Sequence, residues 1–188
     1  MGHKQPVRMT HLVNYLGFSA LELVVAVGVL TVMAAVSVPM LRDYTPSYNS
    51  RQAAGHIVSQ MQLARIRAIK NRVTTVVVFY PEDFTPGGQT GSFVVFEDND
   101  NNWIQDPGDS VLVSQTFMPS EVCLISAAFT SNGSGGATDT TSCGFDSQGV
   151  AARNGAAYVI GNVQLKNSKN ETRTISFNAS GKVKISKP

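Results

Sequence analysis

The stretch Phe18–Leu41 is apolar over 24 residues, counted from position 18 to position 41, and contains one ionisable side chain, Glu22. Roughly 20 apolar residues cross a bilayer as a helix, so this run is long enough to span one. It constrains the fold strongly, because a helix that is apolar all round must lie in lipid or against other apolar surface. A carboxylate in such a span costs on the order of 2.5–3.5 kcal/mol by insertion scales and calls for a partner. Ahead of the run, Met1–Gly17 carries Lys4 and Arg8, holds no acid and ends in Gly17. It reads as a removable leader. An ordinary secretory signal places its apolar stretch before the cleavage point; here the apolar stretch follows. Cutting between Gly17 and Phe18 therefore keeps the helix and creates an amine at Phe18. Glu22 lies four residues further on, about one helical turn.

Gly17, Phe18, Glu22 and the later Pro39 resemble the prepilin signal of type IV pilins and type II secretion pseudopilins. Ser19-Ala20 stands where Thr-Leu is commoner in that signal. The resemblance implies that a membrane-embedded prepilin peptidase cleaves between Gly17 and Phe18 and methylates Phe18. It also implies that Glu22 pairs with the N-terminal amine of a neighbouring subunit during assembly. The expected place before assembly is the bacterial inner membrane, with the remaining chain in the periplasm. After assembly it is a cell-surface pilus or a periplasmic pseudopilus.

Removing the leader changes the charge balance. The whole chain has 15 Lys and Arg against 13 Asp and Glu, and the leader takes two of the bases, leaving 13 of each. Charge is segregated along what remains: Arg51–Arg72 has five bases and no acid, and Val73–Ala152 has ten acids and no Lys or Arg. Arg153–Pro188 has seven bases against Glu171 alone. Such asymmetry marks interaction surfaces, and packing between subunits of complementary charge is the favoured account.

The pattern predicts an α+β chain: a leader over 1–17, a membrane or filament-core helix over 18–41, an amphipathic continuation over 42–72 and an antiparallel β domain over 73–188. Pro39 should interrupt the first helix, since proline lacks an N–H and clashes with the preceding turn. A second helical stretch, Pro46–Asn71, carries Ala54, Ile57, Met61, Ala64 and Ala68 at three- and four-residue spacing, an amphipathic stripe. Strands are expected over Val73–Tyr80, Ser92–Glu97, Val111–Met118, Val122–Ala127, Ala156–Leu165, Thr172–Asn178 and Lys182–Ser186, rich in β-branched and aromatic residues between turn formers. Together with the Asp106-Pro107-Gly108-Asp109 loop and the Ser180-Gly181-Lys182-Val183 hairpin, this order resembles the GspH/FimT branch of minor pilins and pseudopilins.

Three further groups are candidates for chemistry. Cys123 and Cys143 flank a Ser/Thr/Gly-rich stretch, and outside the cytoplasm a disulfide between them is allowed. Asp98, Asp100, Asn102, Ile104 (through its carbonyl), Asp106 and Asp109 fall at positions 1, 3, 5, 7, 9 and 12 of a loop, the ligand order of an EF-hand, which makes calcium the candidate metal. Against this order, Trp103 stands where the EF-hand has Gly, Asp109 replaces a bidentate Glu, and no helix flanks the loop. A plain polar loop between strands is the other reading. Arg173, Lys182, Lys184 and Lys187 form a basic set near the C-terminus, which attracts phosphates regardless of base sequence.

Some members of the branch bind DNA through a Gly-Arg-x-Arg-like turn on the last hairpin. Gly181, Lys182 and Lys184 match it with Lys in place of Arg, which loses the bidentate fork. No HExxH, nucleophile elbow, phosphate loop or CxxC occurs, so the expectation is a non-enzymatic filament subunit without a resident cofactor. Its partners are other pilin or pseudopilin subunits, the prepilin peptidase and an inner-membrane assembly platform. DNA uptake is the alternative function.

Overall fold

A computed structural model describes residues 19–85, 88, 90–131, 141–153, 156–157 and 159–187. The chain divides into two compact units, Met1–Leu41 and Arg42–Pro188. One helix, α1 (Ala20–Asn71), contributes to both.

In the first unit, Ser19 starts the helix. Its Oγ accepts from Leu21 N–H at 3.3 Å and its carbonyl accepts from Leu23 N–H at 3.1 Å, which satisfies donors that a helix start leaves open. The hydroxyls of Thr31 and Ser37 donate to the carbonyls of Val27 and Met33 at 2.7 and 2.8 Å. Their polarity is spent on their own helix, as an apolar solvent requires.

The structure differs from expectation at Pro39, where the helix continues instead of stopping. Proline removes one N–H bond from a helix, yet α1 runs through this position. Pro46, expected to begin a second helix, likewise lies inside α1.

In the second unit, α1 lays its predicted stripe on the sheets. Ala54, Ile57, Met61, Ala64 and Ala68 are each at most 1% exposed. Six strands form sheet A in the order β3-β2-β1-β5-β6-β7, and four form sheet B in the order β10-β9-β8-β4. Their ranges are β1 Thr74–Tyr80, β2 Ser92–Asp98, β3 Ser110–Phe117, β4 Val122–Ser131, β5 Ser142–Phe145, β6 Ala151–Arg153, β7 Ala156–Ala157, β8 Val159–Asn167, β9 Thr172–Phe177 and β10 Val183–Ser186. Every pairing is antiparallel. The α+β architecture is the one expected.

Sequence patterning misses β5 and β6, although β5 pairs with the central strand β1. Ser-Cys-Gly-Phe is short and has no β-branched residue, so its strand state comes from its partners rather than its own propensity.

Rings from both sheets run through the core. Phe79 and Phe129 have centroids 5.6 Å apart, Phe129 and Phe177 6.0 Å, and Phe145 and Phe177 5.5 Å. A smaller cluster of Val76, Val94 and Phe96, with Val78 and Trp103 packed on it, covers the other face of sheet A.

The disulfide expected between Cys123 and Cys143 is not formed. Val122 and Leu124 belong to the main core, so the pleat turns Cys123 between them to the other face of β4. There its Sγ lies 3.1 Å from the Glu82 carbonyl. Cys143 faces the main core from β5. Burial raises the pKa of both thiols, so neither is a poised thiolate.

Candidate functional site

Over Ala20–Ser37 the helix is long and apolar enough to cross a membrane, and none of that stretch is buried within the protein. Leu21 is 76% exposed and Val24 69%. A stripe this apolar, unburied among the described residues, needs lipid or other subunits around it. Glu22 sits in the first turn of this segment, where a carboxylate suits the positive end of the helix dipole. Gly17 and Phe18, the expected cleavage pair, lie outside the described residues.

The acidic loop between β2 and β3 brings part of its expected ligand set together. Asp98, Asp100 and Asp109 each place a carboxylate oxygen within 4.8 Å of the others. Asn102 and Asp106 are occupied elsewhere. Asn102 Nδ2 donates to Asp100 at 2.7 Å and to Asp106 at 3.1 Å, and its Oδ1 accepts from Ile104 N–H at 2.6 Å. Asp106 Oδ1 accepts from Gly108 N–H at 2.8 Å. Three converging carboxylates are the chemistry a hard cation takes, but calcium takes six to eight oxygens.

Asp98 is fully buried and accepts N–H bonds from Asn102 and Trp103 at 3.2 and 2.9 Å. Burial pushes its pKa up, against those bonds and with help from its acidic neighbours.

Trp103, which breaks the EF-hand pattern, is what holds the loop. Its φ is +64°, the left-handed conformation that the Gly position of such loops supplies. Its ring packs on the outer cluster of sheet A and over Gly144, where an added Cβ would lie 3.1 Å from the ring and 2.6 Å from the Thr75 carbonyl.

The structure does not bring the C-terminal cations onto one face. In β9, Arg173 shares the inner side with the core residues Ile175 and Phe177 and is 8% exposed. Lys184 pairs with Ser176 in the register of β10 on β9 and so points to the outer side. Lys187 is bound to Glu171 at 3.1 Å. Their closeness in sequence suggests one surface, but the strand pleat turns Arg173 and Lys184 to opposite sides, and the basic set offers no continuous phosphate track among the described residues.

Sequence reasoning misses a cluster around Glu171. Ser47 of α1 donates to Glu171 Oε2 at 2.7 Å, Asn167 Nδ2 donates to the same oxygen at 2.9 Å, and Lys187 Nζ donates to Oε1 at 3.1 Å. These bonds tie α1 and the C-terminal tail to the β8–β9 turn. Chiefly through Ser47, then Asn167 and Lys187, they lower the Glu171 pKa to about 2. The Ser47 and Lys187 partners are 124 and 16 positions from Glu171, so no local pattern announces them.

Because the folded pKa is depressed, the cluster contributes stability above the unfolded value near 4.5 and loses it as pH falls through about 2. Residues 42–188 with Glu171→Gln should therefore melt below wild type at pH 7, with the gap closing as pH falls from 4.5 towards 2. A gap unchanged by pH in thermal melts would show that the charge of Glu171 is not what holds the cluster.

The family model described as type II transport protein GspH matches residues 53–182. Among solved structures, the minor pseudopilin EpsH from the type 2 secretion system of Vibrio cholerae is similar, with 11% sequence identity, a TM-score of 0.45 and coverage of 74% of this chain and 98% of that one. No curated protein sequence matches the chain significantly.

Proposed function

The chain belongs to the GspH family of type II transport proteins, and from that premise we propose that it is a non-enzymatic structural subunit, a minor pseudopilin of a periplasmic pseudopilus. The observation that carries this reading is the apolar segment Ala20–Ser37, none of it buried among the described residues, in the same helix, α1, whose later part packs on the β domain. In the inner membrane, lipid covers that segment. In a filament, the helices of neighbouring subunits cover it, so the same surface serves storage and assembly.

Cleavage between Gly17 and Phe18 frees the amine that faces Glu22 of an adjoining subunit, and the peptidase methylates Phe18. The partners are other pseudopilin subunits, the prepilin peptidase and the inner-membrane assembly platform. The scattered cations of β9, β10 and the tail do not favour a role in DNA uptake.

Deletion of the gene tests this. Export of enzymes that leave by type II secretion should fall to background while surface pili stay intact. Loss of surface pili with export unaffected would move the subunit to a pilus and overturn the secretion role.

A further inference from the structure

Arg65 of α1 is half-buried, and among the described residues its guanidinium has no hydrogen bond and no ion pair. Two turns hold it in place. Gly149, between β5 and β6, and Gly181, between β9 and β10, are both buried and both have a φ of +75°. A Cβ added at Gly149 would lie 3.3 Å from Arg65 Nε, and one added at Gly181 would lie 3.4 Å from its Cζ and 3.5 Å from its Nε. Bare backbone at both turns therefore leaves the room that the guanidinium occupies. The root of the fork is fixed by segments far apart in sequence, so less freedom is lost when the fork binds a partner.

Among the described residues, no counter-charge reaches it. From Arg51 to Arg72 α1 has no acid, and Lys182 directly follows Gly181. Asp146 opens the turn that Gly149 closes, but its Oδ1 accepts from Gln148 and Val150 N–H at 2.9 Å each, inside that turn. Lys187, by contrast, has Glu171 at 3.1 Å, and Arg153 has the Phe129 carbonyl. Withdrawing a charge from water is unfavourable unless it is paired, so the site favours an anion.

Apolar surface adjoins the guanidinium. Ile66 is 61% exposed and Ile69 48%. An arginine among exposed aliphatic side chains has the composition of a protein interface, whereas a phosphate track needs several cations in a row. The planar fork takes the two oxygens of a carboxylate side by side.

We infer that Arg65 anchors a docking site for an Asp or Glu side chain of a different pseudopilin, with Ile66, Ile69 and Lys182 around it. A minor subunit is flanked in the filament by pseudopilins of other kinds, not by a run of its own copies. The inference rests on the subunit reading above and names the chemistry of one contact within it.

The experiment uses the full-length chain in cells that carry the rest of the secretion system. Arg65→Lys puts an amine at this position, which a carbodiimide joins directly to a carboxylate in contact with it; arginine does not react. Peptide mapping should find position 65 joined to an Asp or Glu of another pseudopilin. Arg65→Glu should lower co-purification of the chain with other pseudopilins about tenfold, with the protease resistance of residues 42–188 unchanged. If Arg65→Glu loses that resistance, the uncharged Arg65→Gln is scored in its place. A link from position 65 to this chain's own acids, no link at position 65, or co-purification indifferent to the charge there would each overturn the inference. Wild-type co-purification is scored separately. Its absence overturns the subunit reading along with the inference, whereas its presence with an indifferent Arg65→Glu overturns the inference alone.

Discussion

The full-length chain with Glu22→Ala should be made, inserted and cleaved, yet fail to enter the filament. Exposure is the first reason. Glu22 lies in a segment of which none is buried among the described residues, so removing its carboxylate creates no cavity. In the proposed filament core, the cleaved N-terminal amine of the neighbour would be left as a buried charge without its partner. Breaking a buried pair by removing one side costs about 3–5 kcal/mol, a factor of roughly a hundred to a few thousand in the assembly equilibrium.

Glu22→Gln keeps the size and the hydrogen-bonding oxygen but not the charge, and it should fail almost as badly. The measurement is the share of subunit in sheared filament against membrane, with protease resistance of residues 42–188 as the folding control. Wild-type incorporation of the Ala variant would remove Glu22 from the assembly mechanism. Normal incorporation of the Gln variant alone would mean that a hydrogen bond, not a charge, sets the register.

Glu22 is legible in the sequence because the constraint on it is local: a charge among 23 uncharged neighbours stands out without any knowledge of the fold. The stripe Ala54–Ala68 is legible for a similar reason, since helical period alone sorts buried from exposed positions. The parts that stay hidden depend on distant partners. Glu171 gives no signal until Ser47 and Lys187 are folded beside it. β5 becomes a strand because β1 accepts it, and Trp103 looks like a defect until its ring is seen on Gly144.

Alternation is easily over-read in the C-terminal basic set. It separates Lys182 and Lys184 from Val183 and Ile185 without difficulty. Arg173 joins the same surface only if one ignores which side its neighbours Ile175 and Phe177 bury. The acidic loop is legible as a ligand order, while the competing use of Asn102 and Asp106 for the loop's own hydrogen bonds is not.

The largest effect on the β domain itself should come from Gly161→Ala. Gly161 on β8 is the cross-strand partner of Phe129 on β4. A Cβ added there would stand 2.3 Å from Phe129 Cδ1, 2.9 Å from its Cγ and 2.5 Å from the Ala128 carbonyl oxygen. The ring has little room to retreat, because it is fully buried and packs against both Phe79 and Phe177. The backbone oxygen is held in the β4–β8 ladder. The cost should reach the upper end of overpacking, about 3 kcal/mol. Phe129→Ala, which empties the centre of the aromatic row, should cost about 3–5 kcal/mol.

The double variant separates the causes. With the ring gone, the new methyl meets the Ala128 oxygen alone, so the two costs should sum to about 1–2 kcal/mol less than additive. Urea unfolding of residues 42–188 gives all four corners of the cycle. If Gly161→Ala alone does not fold, recovery of folding in the double variant carries the same information. Strict additivity, or a Gly161→Ala variant as stable as wild type, would mean that Phe129 does not rest on Gly161 and that the β4–β8 pairing has another register.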